Sequence, residues 1–190
     1  MKKPSRCGID IAGRANRPAT LYNIMLPIWL ILFWPSYLWL ILIPVNYLLD
    51  RIVLRWSLGE LPDKGLFCRK HTWKICLAGF LSDFLGFLFL FASFMLSAWI
   101  SSDTPVGDFA EKIGYGVGFN PFSNFWAFLI VTASVLIAGV LIFLLDRAIL
   151  HKAGLDPEQA KKSALRLALL TAPYLYFIPS YFLYESGFYA

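Results

Sequence analysis

Four long apolar blocks dominate this sequence, and short polar stretches separate them. The blocks run over Leu21–Leu49, Ile75–Ile100, Phe125–Leu145 and Leu165–Tyr184. An α-helix rises about 1.5 Å per residue, so about 20 residues cover the roughly 30 Å hydrocarbon layer of a bilayer. Blocks of this length with few charges predict membrane-crossing helices. No alternation of period two runs through them, which excludes a transmembrane barrel. The polar stretches are too short to build a separate core. Charged residues make up only 15% of the chain and mean hydropathy is +0.63, too little charge to cover a water-soluble globule. The expected fold is therefore an all-α integral membrane bundle. Residues 1–20 form a basic tail, and residues 21–190 form one polytopic domain with segments 21–58, 75–100, 123–146 and 157–185. The N-terminal run lacks a small-residue cleavage pattern, so it reads as retained.

Block one carries prolines at 27, 35 and 44. A proline removes a backbone donor and biases the residue before it away from the helical region. Trp34-Pro35 therefore marks a break. The block is either a re-entrant hairpin turning there or a single kinked span. Charge favours the hairpin. Every Lys and Arg except Lys112 would then lie on one side, with the basic loops cytoplasmic and the C-terminus outside, as in a plasma (inner) membrane. An internal echo favours the kinked span. "LLDRIVL" at 48–54 resembles "LLDRAIL" at 144–150, and "RKHTWK" at 69–74 resembles "KKSALR" at 161–166 in charge spacing. Two such units in tandem would be parallel repeats, but the charge asymmetry is the stronger argument, and a hairpin-like first segment is the expected course.

Punctuation places the helix starts. Asn120 followed by Pro121 predicts a cap ahead of block three. Asp156, Pro157 and Gln159 predict a capping box ahead of block four. "KIGYGVGF" at 112–119 lacks the Thr-Val lead-in of a potassium filter and is expected to be a flexible external loop.

Asp83 is the residue most at odds with its surroundings, since a carboxyl inside an apolar block needs pairing, hydration or protonation. Gly79, Ser82, Asp83 and Gly86 are expected on one small, polar helical face, suited to a pathway or to close helix packing. Thr171, Tyr174, Tyr176 and Ser180 form a hydroxyl-rich, proline-interrupted segment of the kind that lines sites in transporters. Asp50, Arg51, Asp146 and Arg147 are expected as charges at the inner interface. Cys68, His71 and Cys76 supply two thiols and an imidazole, but too few paired ligands for a structural zinc, so no metal is expected. No cofactor motif, acid-base pair, Ser/His/Asp set or phosphate loop is visible, and the chain does not read as an enzyme.

Two functions remain. One is a non-catalytic membrane subunit that self-associates into a homo-oligomer or docks in a larger membrane complex through small-residue faces. The other is an oligomeric small channel or transporter with an acidic intramembrane site at Asp83. A cysteine-dependent membrane enzyme is a third and weaker reading. The net charge of +5 is assigned to loops beside anionic lipid headgroups rather than to nucleic acid.

Overall fold

The computed structural model describes residues 26–33, 37–59, 61–100 and 104–182, and the described residues form helices without strands. Six α-helices follow in order: α1 Ile28–Phe33, α2 Trp39–Ser57, α3 Lys64–Trp99, α4 Pro105–Phe119, α5 Phe125–Lys152 and α6 Pro157–Thr171. Two of them, α3 and α5, are long and apolar enough to cross a membrane. At 36 residues α3 extends about 54 Å, well beyond a bilayer's apolar layer.

Helices α2, α3, α5 and α6 close a four-membered ring in which α2 and α5 each pack on both α3 and α6. Neighbours run antiparallel because short turns join α2 to α3 and α5 to α6. Gly59 and Gly154, at φ +58° and +96°, make those turns, since a left-handed backbone carries no steric penalty at glycine. Both turns lie at the same end, along with Arg55, Lys64, Arg69, Lys161 and Lys162; we call it the basic end. Its core joins Leu54, Leu58, Cys68 and Ile75 from the first half to Leu150, Ala160, Ala164 and Leu167 from the second.

The course of block one differs from the hairpin. Trp29 packs on Phe94 and Phe87, Phe33 on Phe87 and Phe84, and Trp39 stacks on Phe80. Farther on, Asp50 lies beside Cys76, and Leu54 joins the cluster holding Cys68. The contacts descend α3 in one direction. A hairpin at Trp34-Pro35 would send α2 back toward Phe94, whereas α2 continues to the basic end. Trp34 and Pro35 themselves, and residues 21–25 of the block, lie outside the described residues. The Trp39 indole bridges the interruption by donating to the Leu32 carbonyl at 3.0 Å.

Residues 112–119, expected as a flexible loop, belong to the helix α4, Pro105–Phe119. Thr104 caps it by accepting from the Gly107 amide at 3.0 Å, and Pro105 opens it. Its glycines allow contact rather than flexibility. A Cβ at Gly114 would strike Ser97, one at Gly116 would strike Ala127, and one at Gly118 would lie 2.9 Å from Phe94. The glycine spacing that resembles a filter thus seats α4 on the ends of α3 and α5.

Other boundaries shift by a few residues. Asn120 caps only a 3-10 turn over Pro121–Ser123, and Asn124 caps α5 by accepting from the Ala127 amide at 2.8 Å. Asp156 caps α6 through the Glu158 amide, but Gln159 reaches across to the Ser57 carbonyl at 2.8 Å instead of closing a box. Block four is not one continuous helix over 157–185. The helix stops at Thr171, a 3-10 turn covers Tyr174–Phe177, and the chain continues toward the far end of α3. Residues 183–185 lie outside the described residues.

Candidate functional site

The end of α6 shapes the site. Pro173 has no amide hydrogen, so in a continued helix the Leu169 carbonyl would lose its partner. The Tyr174 hydroxyl takes that place, donating to Leu169 O at 2.6 Å. The Thr171 hydroxyl donates to Leu167 O at 2.9 Å. Beyond the break, the Tyr176 hydroxyl donates to the Asp83 carbonyl at 2.8 Å, and the Tyr176 ring lies against Phe33. Ser180 pins the segment at the far end. Its hydroxyl accepts from the Ile28 amide at 2.9 Å and donates to Gly118 O at 3.0 Å, while its own amide donates to Phe119 O at 2.8 Å. Several of the groups at the break, the Leu169 carbonyl among them, are thus paired inside the protein, as an apolar setting favours.

A cavity of about 600 Å³ opens between α2, α3 and the 170–178 segment. This is within the usual size range of small-molecule sites, roughly 300–1,000 Å³. Asp83, Gly79 and Cys76 come from α3, Asp50 and Asn46 from α2, and Thr171, Tyr174 and Tyr176 from block four. Cys76 and Thr171 lie beside the Asp50 carboxyl, while the Thr171 hydroxyl donates to Leu167 O. Asp50 is itself within Coulombic reach of Asp83 and Asp146. One carboxylate oxygen of Asp83, Oδ1, is buried without a hydrogen-bond partner. Phe33, Trp39 and Phe80 make the aromatic wall.

The structure divides the face expected to hold Gly79, Ser82, Asp83 and Gly86. Gly79 and Asp83 line the cavity. Ser82 is fully buried and donates to its own helix at Ala78 O, 2.8 Å away. Gly86 meets α5, where a Cβ would lie 3.1 Å from both the Ala138 Cβ and the Ser134 carbonyl oxygen, and the Ser134 hydroxyl donates to Gly86 O at 2.7 Å. At about 100° per residue, a shift of three or four positions turns toward one neighbouring helix or the next.

The four interface charges separate in the same way. Asp50 and Asp146 are buried, at 6% and 0% exposure, whereas Arg51 is half-buried and Arg147 exposed. Both oxygens of Asp146 lack a hydrogen-bond partner. The sequence flags neither aspartate as interior, because each sits beside an arginine at the edge of an apolar block. The stronger signal was the repeated Leu-Leu-Asp-Arg itself.

Cys68, His71 and Cys76 are not gathered into one site. Cys68 packs in the basic-end core, the His71 ring lies on Phe67 at 4.6 Å, and Cys76 faces Asp50. Among the described residues, no three His, Cys, Asp or Glu side chains converge as metal ligands.

These features define an all-helical bundle with two membrane-length helices and an acidic, aromatic-walled cavity. No protein-family model, curated protein or solved structure matches the chain.

Proposed function

We propose that the protein is an integral membrane protein whose cavity is a ligand site on a transport pathway, with Asp83 and Asp50 as its polar end. The observation that carries this reading is the convergence of two carboxyls from different helices on one open cavity. Intramembrane carboxyls that face a cavity are the usual mark of a substrate or ion route. The broken segment at 172–178 supports it, because non-helical backbone at membrane depth is tolerated where it lines a cavity or is buried in protein. Membrane embedding is supported by the outer surface. Leu129, Leu136, Val140 and Leu144 on α5 and Leu77, Leu81 and Leu88 on α3 are exposed, a band that water would not tolerate. The basic end is read as cytoplasmic.

The subunit reading drew on small-residue faces of blocks two and three. Gly86, Ser134 and Ala138 from those faces meet each other inside the chain, so they are not free for a partner. Gly79 and Gly139 of the same blocks have nothing within 4 Å of a Cβ, so assembly with a second copy or a larger complex would use those positions or another surface.

The test is flux in proteoliposomes containing the purified protein. Cation-dependent flux that Asp83→Asn abolishes while the bundle stays folded supports the transport reading. No basal flux, with Asp83→Asn only loosening an oligomer, would favour the docking subunit.

A further inference from the structure

We infer that the cavity takes a lipophilic organic cation, a molecule with one positive charge and an aromatic or branched apolar body. The inference rests on the ligand-site reading above and names its substrate class. Charge comes first. Asp50 and Asp83 line the cavity, and among its described lining residues there is no Lys, Arg or His. Two carboxyls in an apolar surround without a basic partner disfavour an anion and leave the positive charge to be supplied by the occupant. Asp83 is only half-buried and lines the cavity, so its carboxylate is open to an occupant on that side.

The walls set the body of the ligand. Phe33, Trp39, Phe80 and Tyr176 present rings to the same space as the carboxyls. Aromatic faces attract organic cations through their quadrupole, most strongly where water is excluded. A strongly hydrated inorganic ion would leave this apolar wall unused. The volume of about 600 Å³ also exceeds what such an ion needs.

The mouth sets the route. Val45 and Leu49 of α2, with Leu170 and Tyr174, line the cavity and are exposed at 44%, 48%, 55% and 50%, so the cavity opens to the surface among apolar and aromatic side chains. Their exposed apolar character matches that of the bands on α3 and α5 read as lipid-facing. A ligand therefore reaches the carboxyls from the bilayer, apolar body first among the side chains of the mouth. No crossing of the basic end is needed.

The test uses the full chain in phosphatidylcholine nanodiscs, with tetraphenylphosphonium and tetraphenylborate as probes of one shape and opposite charge. Saturable binding of the phosphonium is expected, with the borate at least tenfold weaker. Asp83→Asn and Asp50→Asn should each weaken phosphonium binding about tenfold or more, while Asp83→Glu, which keeps the charge, restores most of it. Cys76 gives an independent readout in otherwise unaltered site residues. In a Cys7→Ser, Cys68→Ser background, phosphonium should slow modification of Cys76 by a membrane-permeant maleimide. Equal binding of the two probes, preference for the borate, or phosphonium binding indifferent to both aspartates would overturn the cationic class. In each of those cases, Asp83-dependent flux of another solute would leave the transport reading standing. Loss of flux and of all probe binding together would remove both.

Discussion

The Leu-Leu-Asp-Arg sequence occurs once in each half, and the two copies share a setting but not an environment. Asp50 and Asp146 are both buried, and Leu54 and Leu150, four residues later in each copy, are both fully buried in one basic-end core. Each helix then ends at a left-handed glycine and turns into an antiparallel partner. Beyond that point the halves diverge. Helix α3 continues unbroken to Trp99, and Gly86 lets α5 close upon it. Helix α6 stops at Thr171, because Pro173 cannot supply the next hydrogen bond, and the cavity opens beside α2. Asp50 therefore looks into open space with Cys76 and Thr171 beside it, while Asp146 is sealed with both oxygens unpartnered. One proline and one glycine, placed in corresponding arms, separate a closed seam from an open site.

Substitutions can break or sharpen this contrast. The largest effect is expected at the closed seam. Gly86→Leu forces a side chain into the Ser134–Ala138 crossing and should destabilise the bundle by about 3 kcal/mol, read as a lowered thermal midpoint in detergent. Gly79→Leu, with nothing within 4 Å of a Cβ, should leave stability nearly unchanged while filling the cavity wall. Next is the sealed aspartate. Replacing an unpartnered buried carboxyl by an apolar side chain removes a desolvation cost, so Asp146→Leu should raise stability by about 2 kcal/mol. Asp50→Leu should not, because it removes a group that Cys76 and Thr171 can contact. A smaller change is expected for Tyr176→Phe, which loses the hydrogen bond to Asp83 O and about 1 kcal/mol, seen in the same unfolding assay. The smallest belongs to Thr171→Val. It leaves the Leu167 carbonyl in its helical bond and should cost under about 1 kcal/mol, but should weaken cation binding through Asp50.

Much of the helical outline was legible in the sequence. Block lengths gave the helical class and the apolar cores of α3 and α5, and Asp156 announced the start of α6. Asp83 stood out because a lone carboxyl in an apolar block has few comfortable settings. Other features depended on information that local patterns do not carry. The charge count favoured a hairpin because it weighed every basic residue alike, and it could not register the one-way descent of Trp29, Phe33 and Trp39 along α3. Glycines at 114, 116 and 118 looked like freedom, since a sequence does not show which side chain presses against each one. The helical period groups Ser82 and Gly86 with Asp83, and it is right for the helix but silent about which neighbour each residue meets. The arginines that follow Asp50 and Asp146 point to an interface, although both aspartates are buried.

The single pass of block one along α3 underlies the cavity and the placement of Asp50, and proximity measures it directly. In a background where Cys7 and Cys68 are serine, the pair Ile28→Cys and Ser180→Cys should form a disulfide in membranes on mild oxidation. A separate variant, Asp50→Cys, should form one with native Cys76. The first link places α1 at the far end and the second places α2 near the basic end, as a one-way course requires. Failure of the first link, with Ile28→Cys joining a cysteine at Leu42 instead, would show a chain that doubles back and would contradict the account.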